Sequence, residues 1–312
     1  MAGGLALALS GGGAKGAFQV GVIDELVRVR GVDFETVTGT STGAIQAAGV
    51  AQDDIERLVG FWTGLTGTRD IYRSRGWIGW VVLTGKNSLY STGPLQKLLR
   101  DFYDDAAIRA TGKKLRIAVV NITTGTLQII SENADNIADW VYASSAQPPF
   151  FPPFETRRSD GVTEQWVDGG VIDVTPFDAA LKERPRAVLA VRAEAPLAVT
   201  TSRYDSILEI ALRAVDLQTR EVANEDLKNV FLINRLLAAE QEQRRRLGEI
   251  GTLTPADIER VMEPFADEVD RFRLIPTMVL QPATDLYDTL DFVPELIAQN
   301  IERGRQAVGV MV

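Results

Sequence analysis

The pentapeptide Gly39-Thr40-Ser41-Thr42-Gly43 stands between a β-prone run, Thr36-Val37-Thr38, and a helix-prone run, Ala44-Ile45-Gln46-Ala47-Ala48. A serine in that setting sits on a sharp strand-to-helix turn, and the glycines two residues to either side remove side chains that would collide with the adjoining strand or helix. The chain is thereby constrained to an α/β arrangement in which a strand feeds directly into a helix. A nucleophilic serine normally gives its proton to an imidazole, yet the 312 residues contain no histidine. If Ser41 is a nucleophile, its base is a carboxylate, a lysine or a bound water. Lysine in a Ser-x-x-Lys arrangement is ruled out because the third residue after Ser41 is Ala44.

The rest of the chain reads as alternating strands and helices. Residues 5–9 alternate Leu and Ala without charge, as a strand covered on both faces does. After a glycine loop at 11–16, Phe18, Val22, Leu26 and Val29 recur at helical spacing. A strand near 35–40 precedes Ser41, Asp53 and Asp54 start a helix, and Pro94 opens another. Leu115–Asn121 and Thr126–Ile130 read as a hairpin about Thr124-Gly125, followed by a helix at 135–145 and a turn-rich stretch from Gln147 to Phe154. Strands are expected at 162–167 and 187–191, helices at 204–247 and 255–269, a returning strand at 273–281 and a last helix from Pro294. This order predicts a three-layer α/β/α sandwich around a mostly parallel central sheet. With no repeat or low-complexity linker, one domain over 1–312 is expected, 1–195 forming a core and 196–312 a helical portion that completes it.

Composition narrows the chemistry. Cysteine is absent as well as histidine, which removes disulfides, thiolate nucleophiles and the usual zinc ligands. No calcium-loop pattern is present, so neither a metal nor another cofactor is expected. A net charge of −9 argues against nucleic acid as a partner. It also gives no global attraction to anionic lipid, so any membrane contact would be local and peripheral. The apolar start, Met1 to Ser10, lacks a basic flank and runs straight into the glycine loop, and no stretch reaches the roughly 20 apolar residues of a membrane-spanning helix. A cytoplasmic protein is expected, its oligomeric state left open.

Two further motifs bear on the missing base. Gly11-Gly12-Gly13-Ala14-Lys15-Gly16 lies after a strand and before a helix, where successive glycine N–H groups form a concavity for an anion. It also satisfies Gly-x-Gly-x-x-Gly with Asp33 about 20 residues on, the dinucleotide fingerprint. What separates a pyrophosphate from an oxyanion there is whether a nucleophile is aimed at the same place. Asp168-Gly169-Gly170, at a strand end, is in isolation an ordinary turn. The need for a carboxylate base makes it a candidate, with Asp173 and Asp178 as rivals. Asp178 falls inside an expected helix and Asp173 suits a turn or cap.

Taken together and in this order, the motifs resemble the patatin-like phospholipases, a family of serine acyl hydrolases. The resemblance runs through Leu7 to Phe18, Gly39 to Gly43, Ala143-Ser-Ser-Ala-Gln-Pro-Pro-Phe-Phe-Pro-Pro153 and Asp168-Gly-Gly170. It covers about 5–195, and Leu290-Asp-Phe292 is similar too. It implies Ser41 as nucleophile, Asp168 as its partner, and Gly11, Gly12 and Gly13 as oxyanion donors, with Lys15 and Thr42 in support. The implied substrate is a carboxylic ester of a phospholipid or lysophospholipid, cleaved through an acyl-enzyme. Lys15 stands where many members carry arginine, which keeps the charge but not the bidentate fork, and Thr42 adds bulk where alanine is common. A desolvated Asp168 should have a raised pKa, and activity is expected to persist to lower pH than in a histidine enzyme. Arg69, Arg73 and Arg75 interleave with Tyr72, Trp77 and Trp80, a mixture that fits a membrane interface or lid as well as a core with a solvated rim. A dinucleotide-binding protein and a catalytically silent lipid-binding module are the competing classes. A malonyl-type acyltransferase needs a histidine this chain lacks.

Overall fold

The computed structural model describes residues 3–76, 81, 83–196, 203–205, 207–269, 273–286 and 289–310. Its central strand is β1 (Gly3–Leu9), paired in parallel with β2 (Phe34–Thr40) on one side and with β9 (Pro185–Val191) on the other. Beyond β9 lies β10 (Thr277–Leu280), and beyond β2 lies β5 (Lys114–Asn121), both parallel to their neighbours. The remaining strands are antiparallel. β6 (Thr126–Ser131) forms the expected hairpin with β5, and β8 (Thr163–Asp168) pairs with β5 and with β7 (Phe154–Arg157). A separate ribbon joins β3 (Arg73–Ser74) to β4 (Tyr90–Ser91).

The alternation in β1 sets the layers. Leu7 and Leu9 face a large apolar cluster with Phe18, Ile45, Leu58, Ile117 and Ile301. Ala6 and Ala8 face a smaller one with Phe177, Ala180, Val188, Val230 and Ile275. The first face is covered by α1 (Ala17–Ile23), α2 (Thr42–Ala51), α3 (Ile55–Thr63), α4 (Gly93–Phe102), α6 (Ile137–Ser145) and α10 (Pro294–Gly309), with the short α5 (Asp105–Ala110) beside them. The second face is covered by α7 (Phe177–Lys182) and the 43-residue α8 (Ile207–Glu249), against which α9 (Pro255–Val269) packs. Alanine at alternate positions of β1 keeps that second face thin. Each fully buried leucine on the other contributes roughly 1.5–3 kcal/mol. The sheet is therefore largely parallel, flanked by helices on both faces, with a helical C-terminal part.

Several local features differ from expectation. The first helix passes at Asp24 into a π-helical turn that runs to Val29, where the fully buried Asp24 carboxylate is held by Arg28 and, at 2.8 Å, by Arg305 of α10. Asp54 caps α3 by accepting from Arg57 N at 3.0 Å, whereas Asp53 stands at positive φ before it. The turn-rich stretch that begins at Gln147 ends in a strand, because Phe154 pairs with Trp166. Near the end of α8, Arg244, Arg245 and Arg246 are paired with Glu240, Glu242, Glu249 and Glu259. Among the described residues, no helix is long and apolar enough to cross a membrane. Trp77 and Trp80 lie outside the described residues.

The edge of β5 that faces β2 carries two strands end to end. β2 pairs with the first half of β5, as far as Thr40 opposite Ala118, and β8 takes over with Asp168 opposite Val119. β6 occupies the other edge from Arg116 to Asn121. Because β2 and β8 run toward one another, their C-terminal ends meet at neighbouring residues of β5. Thr40, just before Ser41, and Asp168 are thus brought together by sheet register.

Candidate active site

Ser41 leaves β2 with φ 57° and ψ −128° and becomes the N-cap of α2. A non-glycine residue at this positive φ is strained by about 1–3 kcal/mol and persists only where its surroundings enforce it. Here they do. A Cβ on Gly39 would lie 2.2 Å from the Gly43 carbonyl oxygen, and one on Gly43 would lie 2.3 Å from that of Leu9. The Ser41 N–H donates to Ser144 Oγ at 2.9 Å, and that hydroxyl donates to the Ala118 carbonyl at 2.7 Å. Thr40 Oγ1 donates to the Asp173 carbonyl at 3.0 Å.

Asp168 ends β8 and caps the turn that follows. Its Oδ1 accepts from Gly170 N at 2.7 Å, and its own N–H donates to the Ala146 carbonyl at 3.2 Å. The segment Ser144–Ala146 therefore grips the backbone of both Ser41 and Asp168, a role the sequence does not advertise because the residues are about 100 and 20 positions away. Asp168 is 1% exposed, and its Oδ2 has no hydrogen bond of ordinary geometry. Burial pushes this carboxyl up to about 7, opposed by the nearby Ser41 hydroxyl and the Gly170 amide. The raised pKa matches expectation, and its size argues against persistence of the base form to low pH. A carboxylate titrating near 7 loses its base form in the same range as an imidazole, because a nearly waterless surrounding penalises the ion more than the Ser41 hydroxyl and the Gly170 amide offset.

The glycine loop faces this pair. A Cβ on Gly11 would sit 3.2 Å from Ser41 Cβ. One expected donor is already committed, however, since Gly11 N–H donates to the Val174 carbonyl at 3.0 Å. Among the described residues the amides of Gly12 and Gly13 have no acceptor. Gly13 takes φ +56°, and a Cβ there would lie 2.2 Å from the Thr289 carbonyl oxygen, which also accepts from Ala14 N at 2.8 Å. Thr42 fastens the elbow to the loop by donating from Oγ1 to the Gly13 carbonyl at 2.9 Å.

Lys15 enters an ion cluster on the wall of the cavity that Ser41 also lines. Its Nζ lies 3.1 Å from Glu194 and 3.7 Å from Asp285. Arg220 of α8 reaches the same two carboxylates at 3.5 and 3.4 Å and Asp216 at 3.2 Å, and Arg213 pairs with Asp216 at 2.5 Å. The partners of Lys15, Glu194 at the end of the expected core and Asp285 in the C-terminal portion, are not foreshadowed by the sequence. Among the rivals for the base, Asp178 is exposed on α7 and Asp173 is half-buried in the segment between the Asp168 turn and α7. Burial first, then the carboxylates of Asp226 and Asp178, raise Asp173.

A cavity of about 650 Å³ collects Gly11, Gly12, Gly13, Ser41 and Asp168 on its wall. One part of it is aromatic: Tyr72 packs on Tyr90 at 4.4 Å between ring centroids, on Phe151 at 5.5 Å and on Phe292 at 6.5 Å, and Phe292 stacks on Trp62 at 6.4 Å. Arg69 and Arg73 are exposed, whereas Tyr72 belongs to this wall. No group of acidic side chains able to hold a metal ion occurs among the described residues.

The Patatin family model, described as "Patatin-like phospholipase", matches residues 7–181. The chain is 31% identical over 201 residues to the uncharacterized protein YqhO of Bacillus subtilis, covering 58% of this chain and 68% of YqhO. It is 24% identical over 214 residues to a cGAMP-activated phospholipase of Vibrio cholerae, covering 57% of this chain and 56% of that protein. With a cUMP-AMP-activated phospholipase of Escherichia coli it shares 27% identity over 184 residues, 53% of each. The chain thus spans about half the length of these two phospholipases.

Proposed function

The chain belongs to the patatin-like phospholipase family, and from that premise we propose that it is a lipid acyl hydrolase working through a Ser41–Asp168 dyad and an acyl-enzyme. The observation that carries the dyad is the unpartnered, buried Oδ2 of Asp168 beside the Ser41 hydroxyl. Resting hydrogen bonds of catalytic pairs are often long and tighten only with substrate bound.

Ser41 Oγ attacks the ester carbonyl while Asp168 Oδ2 takes its proton. The negative charge that develops on the carbonyl oxygen is met by the N–H groups of Gly12 and Gly13, each such donor being worth about 2.7–4 kcal/mol. Collapse expels the alcohol, which leaves with the proton from Asp168, and Ser41 keeps the acyl group. A water then gives its proton to Asp168 and attacks the acyl carbonyl; Ser41 recovers the proton as the fatty acid leaves. A pKa near 7 suits both halves, because the group is a fair base when ionised and a fair acid once protonated. The aromatic wall fits an acyl chain.

The glycine loop favours this reading over a dinucleotide site, since Gly11 lies against Ser41 and the unused amides of Gly12 and Gly13 belong to the wall of the same cavity. A test is release of fatty acid from phospholipids and lysophospholipids dispersed in uncharged detergent. Wild-type protein should release it and Ser41→Ala should release none; equal release by both would remove Ser41 from the reaction.

A further inference from the structure

The cavity has two walls of opposite character, and the hydrolase reading uses only the aromatic one. The other is formed by Lys15, Arg213 and Arg220 with Glu194, Asp216 and Asp285, joined by ion pairs of 2.5 to 3.7 Å. The two walls meet at the reacting centre. Ile45, one helical turn beyond Ser41, belongs to the apolar side, and Lys15, two residues beyond Gly13, belongs to the ionic side. An ester carbonyl at Ser41, with its acyl chain on the aromatic wall, therefore directs its alcohol portion onto the charged one.

The charges constrain that alcohol. Among the described residues of this wall three cations face three carboxylates, and Asp291 adds another carboxylate at the exposed rim. Lys15 and Arg220 are buried at the back of the cluster, whereas Arg213 and Asp285 keep 20% and 43% of their side chains accessible. A group bringing only negative charge would crowd the carboxylates and leave a buried charge without balance, which is costly. A group carrying both signs can exchange partners with the cluster and leave every charge paired.

Building on the lipid-hydrolase reading, we propose that this wall is a head-group subsite for zwitterionic glycerophospholipids, with the phosphate toward Arg213 and the ammonium toward Asp285. The site selects phosphocholine and phosphoethanolamine heads over phosphoglycerol, and it does so by charge balance.

The test compares kcat/KM for monoacyl glycerophosphocholine, glycerophosphoethanolamine and glycerophosphoglycerol of one chain length in uncharged detergent, with the monoacyl glycerol of the same chain as a head-group-free ester. Wild-type protein should prefer both zwitterionic lipids over the anionic one by about 10-fold. Asp285→Asn, which removes a negative charge, should shrink that ratio at least 3-fold, and Arg213→Gln should enlarge it; thermal melts establish that each variant is folded. Equal turnover of all three phospholipids by wild type, or a ratio unmoved in both folded variants, overturns the subsite while the hydrolase reading stands. Failure to cleave any of the four esters would instead strike at the hydrolase reading itself.

Discussion

Replacing Asp168 by Asn should abolish the base and at the same time stabilise the protein in alkaline solution. The carboxyl titrates at about 7 in the fold because it is desolvated and at about 3.9 in an unfolded chain. The folded state holds the proton more tightly, so the contribution to stability is complete below pH 4 and is lost as pH rises through 7. At about 1.4 kcal/mol per pH unit, that gap amounts to about 4 kcal/mol above pH 8, of which about 2 kcal/mol is already lost at pH 5.5. Asn is nearly isosteric, its carbonyl can still accept from Gly170, and it carries no charge at either pH. The stability of Asp168→Asn relative to wild type should therefore improve by about 2 kcal/mol between pH 5.5 and 8.5, or by about 3 °C in melting temperature for a chain of this length. Melting both proteins at the two pH values isolates Asp168, since Asp173 and Asp226, also raised by burial, are common to both. A gap that stays constant, or that narrows as pH rises, would refute a buried carboxylate with a raised pKa.

Two further outcomes follow from the same geometry. With a soluble ester, kcat/KM should fall with unit slope below a midpoint near 7, as the Asp168 carboxylate is protonated; a rate that holds level down to pH 5 would contradict this. Ser144→Ala removes the acceptor of the Ser41 amide and the bridge to Ala118. It should cost about 1–3 kcal/mol of stability and lower turnover by about 10- to 100-fold through loss of positioning, with unchanged turnover in a folded variant as the contrary result.

Much of the fold is local in origin, which is why it can be read from the chain. The Leu/Ala alternation of β1, the glycines around Ser41 and the Pro at the start of α4 and of α10 each specify their element within a few residues. The tight turn after Asp168 was legible in the same way. What escapes a linear reading depends on register and distant contacts. Nothing in 163–168 announces that β8 will abut the end of β2 along one edge of β5, yet that junction brings Asp168 to Ser41. Ser144 looked like one serine of a Ser-rich run, and its hydroxyl takes meaning only from Ala118 and the elbow. Gly11 seemed equivalent to its neighbours until Val174 took its amide, and the charge of Lys15 is spent on Glu194 and Asp285, far along the chain.

The most direct measurement is to trap the acyl-enzyme by rapid acid quench during turnover of an activated acyl ester and to locate the added mass by peptide mass spectrometry. The acyl group should reside on the peptide containing Ser41 in wild-type protein and be absent from Ser41→Ala. Fatty acid release with no adduct at any time, or an adduct on another residue that persists in Ser41→Ala, would contradict covalent catalysis by this serine.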